Sequence, residues 1–275
     1  MPEGDTIHKL ANYLKPRLNG QPLESLVLAD RTAARSVSAK SIKSVRAAGK
    51  HLFVDLDNGQ SVRSHLGMHG SWHRYPLGAP WRKPRSRASV VITVNDNHYV
   101  CFNAKEVELI RTPSVRSSVV DHRLGPDLTA GTVDLNLIVR RIRELCEPDT
   151  LLADVLLDQR VASGIGNVYK SEVLFIHRVS PTCELGCCGD AALEALYATA
   201  SELLGSNLGG GRRVTRRERD NAGRLWAYRR EGLPCLRCDH PVAYARLGRH
   251  HRSTYWCPAC QDQTQPSLRT TPETP

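Results

Sequence analysis

The chain begins Met1-Pro2-Glu3, an order that places a potential nucleophile next to a carboxylate. Removal of Met1 is expected here, and it would leave Pro2 with a free secondary amine. An α-amino group has a pKa of about 7.7 to 8.0, so part of it is neutral near pH 7 and can attack an electrophilic carbon. Amine and acid together predict nucleophilic catalysis with a proton carrier at hand.

Two cysteine pairs near the end of the chain predict a metal site. Cys235 and Cys238 form one C-x2-C pair, Cys257 and Cys260 form another, and 18 residues separate the pairs. This spacing is typical of a structural zinc site, in which four thiolates close the tetrahedral shell and leave no open position for catalysis. Four unrelated buried thiols are the alternative. The segment between the pairs is basic and includes Arg246, Arg249, His250, His251 and Arg252.

A glycine turn in the middle of the chain joins two segments of helical periodicity. It reads Ser163-Gly164-Ile165-Gly166 and is followed by Asn167, which we expect at the N-cap of the second helix. A helix N-terminus that a ligand can approach closely suits phosphate, and a helix-two-turn-helix would hold a DNA backbone without reading bases. On this segment alone, an ordinary glycine turn between core helices is an equally good interpretation.

The element that must position Pro2 is a helix predicted over residues 3–14. Ile7, Leu10 and Leu14 fall on one face, and Pro16 is expected to end the helix. The positive end of the helix dipole disfavours a protonated amine beside it and favours the ionised form of a nearby acid. The pattern therefore supports Pro2 as nucleophile and Glu3 as its partner.

Residues 20–115 consist of short apolar runs separated by turn residues, which predict a β-sandwich or barrel. Asp57-Asn58-Gly59 and Asn95-Asp96-Asn97 are hairpin signals. The segment 71–87 is rich in proline and charge, so we expect a loop there. From about residue 125 the period becomes helical, with helices expected over 133–146, 150–159, 169–175 and 191–204, and the glycine-rich basic segment 206–224 is expected to be mobile.

Composition narrows the class of partner. The 275 residues carry a formal charge of +10 at pH 7 and nine cysteines. The charge favours a polyanion such as nucleic acid, and the odd cysteine count favours thiols or metal over a disulfide framework. The sequence shows no apolar run of about 18 residues and no secretory signal, so we expect a cytoplasmic protein that associates with chromosomal DNA and not with a membrane.

Taken in order, the motifs resemble the formamidopyrimidine-DNA glycosylase and endonuclease VIII family of base-excision repair enzymes. They are Pro-Glu-Gly, AAGKHLFVDL, HLGMHGSW, HRLGPD, LLDQRVASGIGNVYKSEVLF and the ribbon ending RSTYWC. The resemblance extends from Pro2 to about Gln261 and implies an α+β fold with one structural zinc ion. Its expected parts are a catalytic β-sandwich domain with flanking helices (1–125), a helix-two-turn-helix domain (126–230), a zinc finger (231–264) and a disordered tail (265–275).

The resemblance also implies a bifunctional DNA glycosylase and AP lyase. Pro2 would attack C1′ of a damaged nucleoside to form a Schiff base, with Glu3 as proton donor and acceptor, and β,δ-elimination would then nick the strand. Lys50 matches the family lysine that contacts phosphate or the lesion and supports proton transfer. Arg252 matches the fingertip arginine that grips the flanking phosphates. Without the resemblance, Lys50 and Arg252 would be interpreted as solvated surface cations.

Further positions match family residues that hold the DNA. Arg123 and Asn167 correspond to residues on the backbone of the kinked duplex. The region CFNAKEVELIRTP lacks the Arg-Phe pair of the guanine-directed branch and resembles the endonuclease VIII branch, which makes oxidised pyrimidines the preferred substrates. Gly67, Met68 and His69 then form the expected wedge that fills the space of a flipped-out base. His69 departs from the fillers of the family, and Met68 could instead be a core residue.

The expected partner is duplex DNA with an oxidised base or an abasic site, with single-stranded or bubble DNA as a further possibility, bound by a monomer. Two other functions remain open at this stage. One is a module that binds damaged or bent DNA without chemistry, against which Pro2, Glu3 and Lys50 speak. The other is a zinc-ribbon protein that binds RNA or ribosomes, which would leave the N-terminal motif without a role.

Overall fold

The structure is a computed structural model that describes residues 2–29, 34–112, 124–218, 220 and 222–261. Met1, Arg123 and the tail 265–275 expected to be disordered lie outside the described residues. The chain divides into two compact units, Met1–Val120 and Asp121–Pro275. Within the described part of the chain, no helix is both long and apolar enough to cross a membrane.

The first unit begins with helix α1, Gly4–Leu18, which buries one apolar face. The prediction that Pro16 ends this helix was wrong, because the helix continues to Leu18. Pro16 lies in the last turn, so its missing N–H removes only one terminal hydrogen bond. Leu14 and Leu18 are 1% and 0% exposed, and their burial offsets that loss.

Two antiparallel sheets form the rest of the first unit, which confirms the predicted β-sandwich. One sheet has the order β2-β1-β7-β8-β6 and the other β3-β4-β5-β9, and apolar residues of both sheets and of α1 share one core. The strands are β1 (Ser25–Ala29), β2 (Ala34–Ser36), β3 (Ile42–Ala48), β4 (His51–Leu56), β5 (Gln60–His65), β6 (Ser71–Pro76), β7 (Ala88–Val94), β8 (Asn97–Phe102) and β9 (Glu106–Arg111).

The hairpin turns of the sandwich follow the predicted chemistry. Asp57-Asn58-Gly59 joins β4 to β5, with Gly59 at φ 75°. Asn95 and Asp96 join β7 to β8 and both have positive φ, 46° and 56°, as a type I′ turn requires. Gly49 and Lys50 join β3 to β4. Of these two residues only Gly49 has a positive φ, which fits a type II′ turn.

Strand β6 occupies residues that the sequence predicted as a loop, so that prediction was wrong over Ser71–Pro76. β6 is the edge strand and pairs with β8 from Ser71 to Pro76. Proline is tolerated at an edge or at the end of a strand, where its missing N–H breaks no inner ladder. Tyr75 is buried and packs near Phe102 and Trp81, with ring centroids 6.4 Å and 5.9 Å away. The pattern of proline and charge in this segment did not indicate that burial.

The second unit combines helices with a short two-stranded ribbon, and together with the sandwich this gives the predicted α+β fold. Its elements are α2 (Leu135–Leu145), α3 (Leu152–Val155), α4 (Asn167–Ile176), α5 (Asp190–Ser206), β10 (Ala243–Leu247) and β11 (Arg252–Trp256). One apolar core lies among the helices, and a second joins α4 to the ribbon. Short 3-10 turns lie at Arg85–Arg87 in the first unit and at Leu185–Cys187 in the second.

One segment of this unit differs from the sequence prediction. Only Leu152–Val155 is helical where a helix over 150–159 was expected, since the Asp158 carboxylate accepts from the backbone N–H of Arg160 at 2.9 Å and favours a turn. The basic segment predicted to be mobile makes hydrogen bonds at its base. The Asn207 side chain bonds the N–H and C=O of Val214 at 2.8 Å and 2.7 Å, and Thr215 N–H donates to the carbonyl of Arg224 at 2.9 Å.

Candidate active site and DNA-binding elements

The N-terminus places a buried acid next to Pro2. Glu3 is 0% exposed and occupies the N-cap of α1, where its carbonyl accepts from the N–H groups of Thr6 and Ile7 at 3.0 Å and 3.2 Å. The Glu3 carboxylate does not cap the helix. It nevertheless lies at the positive end of the helix dipole, which stabilises negative charge. Pro2 is half-buried immediately before it.

Lys50 lies in the β3–β4 turn, one residue before the strand where it was expected. Gly49 is buried with φ 53°, a conformation that a residue with a side chain rarely adopts. The turn therefore fixes the backbone of Lys50 while its side chain remains half-exposed. A turn lysine of this kind is held by the sheet and still accessible to a phosphate.

A histidine pair that the sequence analysis missed adjoins Lys50. His51 and His65 are direct partners across β4 and β5, with ring centroids 4.9 Å apart, and His51 Nδ1 lies 3.2 Å from Nη1 of Arg63. Burial, and then the charges of His65 and Arg63, lowers the pKa of His51 to about 3. His51 is thus neutral at physiological pH. In the sequence, one histidine begins an apolar strand and a second histidine ends the following strand. Antiparallel pairing of these strands brings the two histidines together.

The three wedge residues predicted from the sequence lie on one tight turn after β5. Gly67 has φ 61°, and a Cβ added there would lie 2.8 Å from Cβ of Lys105. Gly70 donates its N–H to the carbonyl of Leu66 at 3.0 Å and closes the turn. Met68 is 64% exposed, the highest value among the exposed large hydrophobic residues of the described chain, and His69 is also exposed. Met68 is therefore not a core residue.

Asn167 is placed at the N-terminus of α4, but not as its cap. Gly166 takes the N-cap position with φ −127° and ψ −162°, and Asn167 is the first helical residue, so the capping prediction was wrong. Glycine adopts the extended cap conformation at no steric cost. The Asn167 side chain is buried, and its Oδ1 has no hydrogen-bond partner in the described part of the chain. This amide is available for a ligand at a helix N-terminus.

The four predicted cysteines meet at the base of the ribbon. Their Sγ atoms lie within 4.8 Å of one another. Pairs are separated by 3.8 Å (Cys235–Cys260), 3.5 Å (Cys238–Cys257) and 3.3 Å (Cys238–Cys260). Tetrahedral zinc with Zn–S bonds of about 2.3 Å requires S···S separations of about 3.8 Å, which these distances approach. The donor set fits one structural zinc ion.

The ribbon above the metal site carries Arg252 at its tip. Arg252 is the first residue of β11 and pairs with Leu247, so residues 248–251 form the turn. Two side-chain hydrogen bonds hold the metal-binding end of the ribbon to the helical part of the second unit. Arg237 donates through Nη1 to the carbonyl of Phe175 at 3.3 Å, and Gln261 Nε2 donates to the carbonyl of Val179 at 2.8 Å. Metal site and ribbon are thus mounted on α4.

Helix α4 also buries polar residues that the sequence analysis did not single out. Glu172 is 0% exposed, and its carboxylate accepts the backbone N–H groups of Trp226, Ala227 and Tyr228 at 2.7, 2.9 and 2.8 Å. Thr215 Oγ1 donates to the same carboxylate. The signal was Lys170-Ser171-Glu172 inside an otherwise apolar helix, a pattern that indicates buried polar contacts because burial without partners is unfavourable.

Comparison with known proteins matches these parts in the same order. Family profiles match the formamidopyrimidine-DNA glycosylase N-terminal domain at residues 1–107, the formamidopyrimidine-DNA glycosylase H2TH domain at 124–217, and a zinc finger found in FPG and IleRS at 232–263. The probable endonuclease 8 2 of Streptomyces coelicolor is 35% identical over 95% of this chain and 94% of its own length.

A second relative and a solved structure are also similar to this chain. The DNA-(apurinic or apyrimidinic site) lyase Nei2 of Mycolicibacterium smegmatis is 33% identical over 95% of this chain and 99% of its own. Lactococcus lactis formamidopyrimidine-DNA glycosylase, solved with DNA containing an AP site, shares the fold with a TM-score of 0.79 at 23% identity, covering 95% of this chain and 100% of that one. The chain belongs to the formamidopyrimidine-DNA glycosylase and endonuclease 8 family of base-excision repair enzymes, which are DNA glycosylases and AP lyases with a zinc finger.

Proposed function

We propose that this enzyme removes oxidised pyrimidines from DNA through a Schiff base at Pro2 and then nicks the strand by β,δ-elimination. The observation that carries the proposal is the buried carboxylate of Glu3 next to Pro2 at the N-terminus of α1. Family membership supports the overall activity. The relatives named endonuclease 8 support the choice of branch.

The chemistry follows from a secondary amine released by loss of Met1. The nitrogen of Pro2 attacks C1′ as the damaged base departs, and loss of the ring C1′–O4′ bond gives a cationic imine. Glu3 accepts the proton that the nitrogen of Pro2 loses and donates it to O4′ of the opening sugar. The imine withdraws electrons, so a C2′ proton becomes acidic and its removal expels the 3′ phosphate. A second elimination expels the 5′ phosphate, and water then releases Pro2.

The remaining predicted residues bind the charged backbone. Lys50, in its rigid turn, contacts a phosphate near the lesion and assists proton transfer. In the second unit, Asn167 binds a phosphate by donating from its side-chain NH2 group, together with the backbone N–H groups at the start of α4. Arg252 grips the phosphates that flank the lesion and assists the second elimination. Arg123 completes this set by family resemblance, although it lies outside the described residues.

Lesion choice follows from which loops can enter the duplex. Only residues 103–105 connect β8 to β9, and this short turn has no room for the Arg-Phe filler of the guanine-directed branch. Met68, exposed on its tight turn, is then the residue that enters the base step, with Gly67 and His69 beside it. Oxidised pyrimidines are the resulting substrates. We further propose that the enzyme acts as a monomer on chromosomal DNA in the cytoplasm, with bubbles or single strands as additional substrates.

Borohydride trapping on duplex DNA with an abasic site tests this mechanism. A covalent adduct should form and map to the peptide that begins with Pro2. It should disappear when Met1 is retained, because the nitrogen of Pro2 is then an amide, while Pro80→Gly, in an exposed loop, should trap like the unaltered protein. Nicking at full rate by the Met1-retaining form would contradict the mechanism. Binding without excision on every oxidised base would instead indicate a non-catalytic DNA-binding protein.

A panel of single-lesion oligonucleotides tests the substrate class. Duplexes with thymine glycol or hydroxylated cytosine should be cleaved faster than duplexes with 8-oxoguanine, and bubble substrates belong in the same series. Faster excision of the oxidised purine would contradict the assignment to the endonuclease VIII branch while leaving the Schiff-base mechanism intact.

A further inference from the structure

We infer that Lys170 and Asp154 are positioning residues that hold the ribbon turn on both sides of Arg252 and thereby control the second elimination. This inference rests on the proposed function, because it assigns a consequence to the placement of Arg252. Neither residue needs to touch DNA in this role. Both act from the helices on the backbone of the finger.

Lys170 holds the side of the turn that follows Arg252. Its side chain is 1% exposed, and Nζ donates to the carbonyl of Ser253 at 3.1 Å and to Oγ1 of Thr254 at 2.7 Å. Thr254 is itself 0% exposed, and its hydroxyl donates to the carbonyl of Arg252 at 3.0 Å. A continuous hydrogen-bonded path therefore runs from the ammonium group of Lys170 to the backbone of Arg252.

The neighbouring residue of α4 strengthens this contact. Ser171 Oγ accepts the backbone N–H of Tyr255 at 3.3 Å, so two successive residues of the helix bind three successive residues of β11. An ammonium group without water is strongly destabilised unless acceptors stand at fixed positions around it. Because Ser253 and Thr254 lie on β11, these contacts of Lys170 restrict the motion of that strand relative to α4.

Asp154 holds the side of the turn that precedes Arg252. Its Oδ2 accepts the backbone N–H of Arg249 at 2.9 Å. Gly248 has φ 75°, and a Cβ added there would lie 2.2 Å from Oδ1 of Asp154. The absence of a side chain at Gly248 is therefore what lets the carboxylate reach the turn. Gly248 and Asp154 form a matched pair, one on the ribbon and one on α3.

Arg252 thus stands between two anchors, at Arg249 and at Ser253. The turn cannot shift along the ribbon axis or rotate about it without breaking one of them. A displacement of about 1 Å in a group that positions a reacting substrate can reduce a rate about 100-fold. Loss of an anchor should therefore weaken the step that depends most on Arg252, which is expulsion of the second phosphate.

The test measures the ratio of δ- to β-elimination products on a duplex with one abasic site. Lys170→Met should lower that ratio about tenfold or more, with a smaller decrease in kcat for base excision at saturating DNA. Lys170→Arg, which keeps the charge and the donors, should restore most of the ratio. Arg140→Met removes one cation from the exposed face of α2 and should match the unaltered enzyme. Asp154→Ala should change the ratio in the same direction as Lys170→Met.

A double-mutant cycle separates this inference from the proposed function. If Lys170 acts through Arg252, Lys170→Met should have no further effect on the ratio in an Arg252→Ala background. A ratio that is unchanged in Lys170→Met but lost in Arg252→Ala overturns the inference alone. A ratio that is unchanged in Arg252→Ala overturns the role of Arg252 and the inference with it.

Hydrogen exchange supplies a readout that does not depend on catalysis. In Lys170→Met the backbone amides of residues 249–255 should exchange faster, while the zinc content stays at one ion per chain. Unchanged exchange over this segment overturns the inference. If Lys170→Met loses zinc, its finger has unfolded. The product ratio of Lys170→Arg, with zinc retained, then decides whether the contacts of the side chain at position 170 matter.

Discussion

The two units hold their candidate functional residues by different means. In the first unit, Glu3, Lys50 and Met68 lie at a helix N-terminus and on two turns around an apolar sandwich, and backbone geometry places them. In the second unit, Arg252 lies on a ribbon that rests on a four-cysteine metal site and on the buried polar side chains of Lys170 and Thr254. A turn keeps its shape as long as the sheet beneath it is folded, whereas a buried polar contact fails when one atom is removed.

This difference predicts where single substitutions do most damage. The first unit should tolerate changes to the side chains of Lys50 and Met68, since these contribute little to its core. The second unit should lose the placement of its candidate DNA-binding residue Arg252 through changes well away from it. Four experiments, from the largest expected effect to the smallest, test that contrast.

Removal of zinc should have the largest effect and should be confined to the second unit. Structural zinc contributes on the order of 10 to 16 kcal/mol of binding free energy in finger peptides, so Cys257→Ser or treatment with a chelator should unfold the ribbon β10–β11. Hydrogen exchange should show loss of protection over 232–261, with the strands of the sandwich still protected. Equal loss in both units would contradict the contrast. Re-addition of zinc to the chelated protein should restore the ribbon.

Substitution of Glu172 should come next. Glu172→Ala leaves the N–H groups of Trp226, Ala227 and Tyr228 without their buried acceptor, and each unsatisfied group costs about 1 to 3 kcal/mol. We expect the free energy of unfolding to fall by about 3 kcal/mol or more in denaturant titrations. Glu144→Ala, on the exposed face of α2, is the control and should change it by less than about 0.5 kcal/mol. A small effect at Glu172 would show that water replaces the carboxylate.

The same contrast explains which parts of the molecule the sequence could predict. Hairpins at 57–59 and 95–97 were predictable because turn residues with positive φ impose local geometry. The zinc site was predictable because ligand spacing reflects the metal. Strand β6 was missed because its stability comes from pairing with β8 and from aromatic packing, which no local pattern of proline and charge reveals.

The buried contacts of α4 could not be assigned for a related reason. Lys170 and Glu172 stand out as polar residues in an apolar helix, but the partners of Lys170 on β11 lie 83 and 84 positions later in the chain and those of Glu172 lie 43 to 56 positions later. Periodicity in the sequence indicates which face of a helix is buried, but it does not identify the residues that this face contacts. Likewise, the N-cap of α4 shifted from Asn167 to Gly166 because two adjacent residues both suit that position, and local preference cannot decide between them.

A pH titration should reveal a smaller effect, in the first unit. The folded protein holds the pKa of His51 at about 3, mainly through burial, against 6.5 for the free side chain. Below about pH 6.5 the unfolded chain binds a proton that the folded chain does not, so this stability is present above pH 6.5 and is lost as the pH falls towards 3. Denaturant titrations between pH 7 and pH 4 should show this slope, and it should be shallower in His51→Gln. His250→Gln, at an exposed position of the ribbon turn, is the control.

The smallest effect should distinguish two reasons for glycine on the turns of the first unit. Gly67 and Gly59 have similar positive φ values, 61° and 75°, but an added Cβ meets Cβ of Lys105 at 2.8 Å in the first case and nothing within 4 Å in the second. Gly59→Ala should therefore cost only the conformational strain, about 1 to 2 kcal/mol. Gly67→Ala should cost more, because the turn that carries Met68 must move away from Lys105. Lys105→Gly in the Gly67→Ala background should remove the excess, and equal costs for both glycines would show that positive φ alone selects glycine there.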